Sequence, residues 1–217
     1  MPPSPAQDSC VAFLIRHGAT DNNVAHPPLL QGCATDCELS AVGREQAARA
    51  AQFLAPCPLA AVYSSPLLRA VQTAEQIAHL QQLAVQPVPA LREVDVGNWE
   101  GRSWEEIART EPATYRQFLD DAERFGYPGG ENMLEVLARI APQMEQLMRG
   151  HLGQRIVIVG HNVTHRVFVA HVLGVPLRLA RRVTHHNCGV SIVEYRAGHT
   201  RLVTLNTNFH LGELLVQ

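Results

Sequence analysis

The sequence predicts an α/β fold, a three-layer α/β/α sandwich around a mostly parallel central sheet. Short continuous apolar runs recur along the chain, segments of helical periodicity lie between them, and several of those segments open on residues that cap helices. A strand that is apolar at every position is buried on both faces, and right-handed crossovers between parallel strands place helices over both faces. In that architecture ligands sit at the carboxyl ends of the strands.

Taken in order, the Pro-rich start predicts disorder over residues 1–9, followed by one domain over 10–217. Residues 11–15 (VAFLI) are the first buried strand, and 61–63, 85–88 and 156–159 repeat its pattern. Ser65 before Pro66 reads as an N-cap followed by a first-turn proline. Ser103 with Glu106, and Asn132 with Glu135, have the spacing of capping boxes, so a helix is expected after each. The tract from Tyr127 to Gly130 reads as a turn before the second of these helices. The span at about 103–150, with its charged part at 104–124, is a helical excursion from the sheet rather than a second domain.

The 217 residues are 46% hydrophobic and 18% charged, and this composition excludes intrinsic disorder and collagen-like structure as descriptions of the whole chain. A net charge of -2 argues against general affinity for nucleic acid or anionic membranes, so any anion site must be local. The N-terminus lacks a secretory signal pattern, and no apolar run is long enough to span a bilayer, which makes the cytoplasm the expected compartment. Cys10, Cys33, Cys37, Cys57 and Cys188 form no C-x-x-C pair and read as free thiols.

Chemistry concentrates at three strand ends. The first strand ends in Arg16-His17-Gly18, the second is followed by Arg69 in the opening of a helix, and the fourth ends in Gly160-His161-Asn162. Two arginines and two histidines gathered at one sheet edge would make a compact cationic pocket suited to a phosphate group.

These residues resemble the histidine phosphatase superfamily in its phosphoglycerate-mutase-like branch. The pattern Arg-His-Gly-x-Thr-x-x-Asn is complete in Arg16, His17, Gly18, Thr20 and Asn23. The resemblance continues through Gln31-Gly32, Leu39-Ser40, Gly43, Gln46-Ala47, Ser64-Ser65-Pro66, Arg69 and Gln72-Thr73-Ala74. It ends with Leu91-Arg92-Glu93, Gly97, Trp99-Glu100-Gly101 and Gly160-His161. It implies a phosphoglycerate mutase-like fold and a phosphomonoester hydrolase of the metal-independent histidine acid type, with no cofactor.

By the resemblance His17 is the nucleophile, forming a phosphohistidine that water hydrolyses, and Arg16, Arg69 and His161 hold the phosphoryl oxygens. Asn23, Gln31, Gly32 and Asn162 are the expected substrate-binding positions. Glu93 is the general acid, chosen by motif register over Asp95 and Glu100. The substrate expected is a small phosphate ester, with neither nucleic acid nor membrane as a partner, and a homodimer is compatible with such a domain.

Other readings compete with this one. A mutase of the same family shares the phosphohistidine step, but such enzymes carry a longer insertion than the 68 positions separating Glu93 from His161 here (161 - 93). The segment Pro128-Gly129-Gly130-Glu131 also resembles the phosphatase members. A non-catalytic phospholigand- or protein-binding module would not need a nucleophile together with an acid. His161 and His165 have the i, i+4 spacing of a helical zinc pair, but the glutamate and third ligand are not signalled. Arg178, Arg181, Arg182, His185 and His186 read either as a pocket mouth or as a solvated helix end, the latter being favoured.

Overall fold

The computed structural model describes residues 4–215. Its six-stranded sheet has the order β3-β2-β4-β1-β5-β6, built from β1 (Ser9–Arg16), β2 (Ala61–Ser64), β3 (Val85–Pro87), β4 (Arg155–Gly160), β5 (Val190–Arg196) and β6 (His199–Thr207). The four strands β3, β2, β4 and β1 run parallel, whereas β5 lies antiparallel to β1, and β6 antiparallel to β5. The sheet is mixed at this margin, where sequence reading assigned no strands.

Helices cover both faces: α1 (Asp21–Val24), α2 (Ala41–Leu54), α3 (Leu68–Gln81), α4 (Trp104–Thr110), α5 (Pro112–Asp120), α6 (Met133–Arg149) and α7 (Asn162–Val172). Successive side chains of a strand point to opposite faces. Val11, Phe13 and Ile15 of β1 pack with Ala51, Leu54, Ala74 and Ile77 of α2 and α3. Ala12 and Leu14 share the opposite core with Val136, Ile140 and Met144 of α6 and with Val167 and Phe168 of α7. The alternation within one continuously apolar strand thus generates the three layers.

Several expectations are corrected. Ser9 is fully buried and starts β1, and Asp8 pairs with Arg196 at 2.9 Å, so the expected disorder does not reach residue 9; residues 1–3 lie outside the described ones. β3 is an edge strand with mostly exposed residues, not one buried on both faces. The helix after Ser65 starts later, with Leu67 as its N-cap, because Ser65 Oγ accepts from Leu67 N at 3.3 Å in the turn and pairs with a histidine. Ser103 caps α4 by accepting from Glu106 N, but the Glu106 carboxylate turns to Arg102, leaving the box half-made. The box of Asn132 and Glu135 is complete.

The excursion is also smaller than expected, since α6 belongs to the layer against the sheet and leaves α4 and α5 as the projecting part. An aromatic cluster holds these two helices down. Trp99 is fully buried, its indole N–H donates to Glu111 at 3.1 Å, and it meets Trp104, Phe118 and Tyr127 edge-on at 5.3–6.0 Å. Each such pair contributes about 1 kcal/mol beyond its area.

Candidate active site

The three central strands end side by side. Arg16 is in register with Gly160 and Ser64 with Val159, while His17 N donates to Gly160 O at 3.0 Å and Ser65 N donates to Val159 O at 2.9 Å. This register brings residues distant in sequence together, so that the His17 and His161 rings lie 5.1 Å apart between centroids.

The loop carrying His17 is fixed from several sides. Gly18 N donates to Thr73 Oγ1 and Ala19 N to Gln46 Oε1, and the start of α2 presses so close that a Cβ on Gly43 would lie 1.9 Å from Ala19 O. Asn187 Nδ2 donates to His17 O at 2.9 Å and to Asn23 Oδ1 at 3.3 Å. His17 Nδ1–H donates to Gly18 O at 2.7 Å, which places the lone pair of the neutral ring on Nε2.

Burial, then the Arg69 and Arg16 guanidiniums, holds the His17 imidazolium form well below its ordinary range. His161 is shifted in the same direction by burial, Arg69 and His17. At neutral pH the positive charge of the expected cationic pocket thus resides on the arginines, and both histidines are neutral. Burial and the neighbouring Arg166 push Arg16 down to about 10, which leaves it charged at neutral pH.

The expected site residues occupy two levels. Arg16, His17, Asn23, Gln31, Glu93 and Asn162 line a cavity of about 310 Å³. Arg69 and His161 are fully buried beside it. Arg69 donates to Gly32 O at 2.9 Å and Thr35 O at 2.8 Å, so Gly32 acts through its carbonyl rather than by lining the cavity. Its N–H donates to Glu100 at 2.8 Å, and a Cβ there would lie 2.6 Å from Val94 O. Arg16 donates to His185 O at 2.9 Å, and His161 Nε2 pairs with Ser65 Oγ at 2.7 Å.

Among the three rival carboxylates, Glu93 alone lines the cavity. It accepts from Val94 N at 2.9 Å and, across the start of α7, from Val163 N at 3.2 Å and Thr164 N at 3.3 Å. Glu100 is engaged with Gly32, and Asp95 with Gly97 N. Arg92 and Arg102 pair with Glu131, Glu106 and Glu111, leaving Glu93 out of those ion pairs.

Buried polar groups almost always find a partner. Here Arg16 Nε, Gln31 Nε2, Arg69 Nε, His161 Nδ1 and Asn162 Oδ1 are buried without one among the described residues. The unmatched N–H donors of Arg16, Gln31 and Arg69 near a neutral imidazole suit a small, oxygen-rich anion.

His161 and His165 turn to different partners, Ser65 and His185, and no group of three His, Cys, Asp or Glu side chains among the described residues is arranged to hold a metal ion. The arginine-histidine tract after α7 divides: Arg181 lines the cavity, Arg182 is exposed, His186 pairs with Asn206 and Asn208, and His185 is buried behind Arg16. A uniformly solvated helix end is thus incorrect. Sequence reading missed Arg166, which lines the cavity one helical turn after Asn162, and gave no role to Gln46, Thr73 or Asn187. The i, i+4 spacing from Asn162 was the available signal for Arg166.

Comparison with known proteins gives the family of the chain. The family model for the histidine phosphatase superfamily (branch 1) matches residues 12–208. Phosphoserine phosphatase 1 of Hydrogenobacter thermophilus is 31% identical over 205 residues, covering 94% of this chain and 96% of the relative. A probable phosphoglycerate mutase GpmB of Proteus mirabilis is 32% identical over 184 residues, 85% of this chain and 84% of the relative. Among solved structures, Bacillus stearothermophilus YhfR superposes with a TM-score of 0.86 at 27% identity, covering 93% of this chain and 99% of that one. The mycobacterial glucosyl-3-phosphoglycerate phosphatase gives 0.81 at 27% identity, covering 92% and 100%.

Proposed function

Because this chain belongs to the histidine phosphatase superfamily, we propose that it hydrolyses small phosphate monoesters through a phosphohistidine on His17, without a metal ion. The observation that carries the reading is the neutral His17 ring among buried, unmatched donors of Arg16, Arg69 and Gln31.

The chemistry follows from the placement. His17 Nε2 attacks phosphorus as the ester P–O bond breaks, and Arg16, Arg69 and His161 stabilise the oxygens whose charge persists throughout transfer. Glu93 donates a proton to the leaving alkoxide. Water then yields a proton to the Glu93 carboxylate, its oxygen bonds phosphorus, the N–P bond breaks, and inorganic phosphate departs. Asn23, Gln31 and Asn162 hold the substrate, and Gly32 fixes Arg69.

Relatives named as phosphatases support hydrolysis. Return of the phosphoryl group to a second substrate position is the competing outcome, favoured by relatives named as mutases. The short connection from Glu93 to His161, only part of which projects from the sheet, supports water as the acceptor. The free cysteines suit a reducing cytoplasm, and no helix among the described residues is long and apolar enough to cross a membrane.

The test is acid-labile, alkali-stable labelling by a radioactive phosphate donor together with turnover of a phosphometabolite panel. Mutase activity on 3-phosphoglycerate is followed in parallel. Label and turnover should both vanish in His17→Ala and withstand a chelator. A label that survives in His17→Ala would overturn the assignment.

A further inference from the structure

The cavity holds guanidinium groups that one phosphate does not use. Arg166 lies on α7 four residues beyond Asn162, about 6 Å further along the helix axis at 1.5 Å per residue. Arg181 reaches the same cavity from the 3₁₀ segment Leu177–Arg182, its guanidinium carbon 5.5 Å from the centre of the Phe118 ring. Neither forms an ion pair among the described residues, and Arg166 Nε is buried with no hydrogen-bond partner.

Charge makes this arrangement costly. Arg16, Arg166 and Arg181 line one cavity, where Arg166 disfavours the charge of Arg16 and Arg181 that of Arg166. The groups that favour the Arg166 charge are Tyr127 and then Glu93, and the Glu93 oxygens already accept three backbone N–H groups. An anion bound among them offsets that repulsion. The walls between are apolar or aromatic, from Leu30, Val96, Trp104, Phe118, Tyr127 and Met133. They suit a carbon skeleton.

We propose that the preferred substrates are phosphate monoesters bearing a second anionic group, a carboxylate or a second phosphate, a short carbon spacer away, with Arg166 and Arg181 holding that group. The proposal rests on the phosphatase reading above and deepens it from reaction to substrate class.

Equilibrium binding tests it apart from catalysis. In His17→Ala, titration with 3-phosphoglycerate, glycerol 3-phosphate and 1,3-propanediol bisphosphate compares a carboxylate, a neutral hydroxyl and a second phosphate on similar skeletons. At least one of the two doubly anionic ligands should bind at least tenfold tighter than glycerol 3-phosphate, and the tighter of them identifies the group. Adding Arg166→Met should remove most of that advantage. Arg181→Met, at an exposed position, should reduce it and serves as the check if the first variant folds poorly. Equal affinities for all three, or an advantage intact in both variants, would overturn the proposal. Selective binding without any turnover by the native chain would overturn the phosphatase reading and leave this one standing.

Discussion

Acid should destabilise this fold well above the pH at which its carboxylates titrate. His17, His161, His165 and His185 are buried, and burial is the leading cause that keeps each imidazole neutral; for His165 the value falls to about 3. In the unfolded chain each takes up a proton near 6.5. Below that pH the unfolded state binds more protons than the native state, so stability is full above 6.5 and is lost as pH falls towards the depressed native values. With the native value of His165 at about 3, acidification from about pH 7.5 to 5.5 costs about 1.4 kcal/mol through that ring, and His17, His161 and His185 add losses of the same sign. Even one such ring is a noticeable share of the roughly 5–15 kcal/mol that holds a typical domain together. Carboxylates such as Glu131, held below 4.5, titrate outside this window. Urea unfolding followed by tryptophan fluorescence at the two pH values measures the loss. His165→Gln removes one titrating ring and should shrink the loss by about 1.4 kcal/mol. A loss below about 1 kcal/mol, or one unaltered in the variant, would refute the reasoning.

Two other outcomes follow from the same geometry. Glu93→Gln should slow hydrolysis of alkyl phosphates by about 10²–10⁴ and of an aryl phosphate far less, since only the poor leaving group needs its proton; equal losses would remove the acid role. Gly43→Ala should cost about 1–3 kcal/mol and lower the melting temperature by several degrees, because its Cβ would lie 1.9 Å from Ala19 O, backbone that cannot swing aside. An unchanged melting temperature would show that α2 can withdraw from the loop.

The central strands were legible because β1, β2 and β4 are paired on both sides and carry apolar residues in unbroken runs. β6 was not, since it sits at the edge and alternates exposed with half-buried positions, a pattern with little hydrophobic signal. Charged residues were legible where a motif marks them, as with Arg16 and Arg69. Arg166 was obscure because a helical arginine normally faces water, whereas α7 here packs on α6 and on Leu177–Arg182 and Arg166 lines the cavity. Nor does spacing reveal electrostatic sign: two histidines beside two arginines read as four potential cations, and burial decides that two are neutral.

The antiparallel course of β5 decides which connections serve which rim of the sheet. Its first residues lie at the rim where the parallel strands end, so the chain entering β5 is delivered to His17: Cys188 N donates to Arg16 O at 2.9 Å, and Asn187 reaches His17 O. The chain leaving β5 turns through Ala197 and Gly198 at the far rim, in a left-handed pair that an added Cβ at Gly198 would not crowd. Lengthening the first connection therefore rebuilds the surroundings of His17, whereas the second offers a place to graft a tag or a sensor domain without disturbing them.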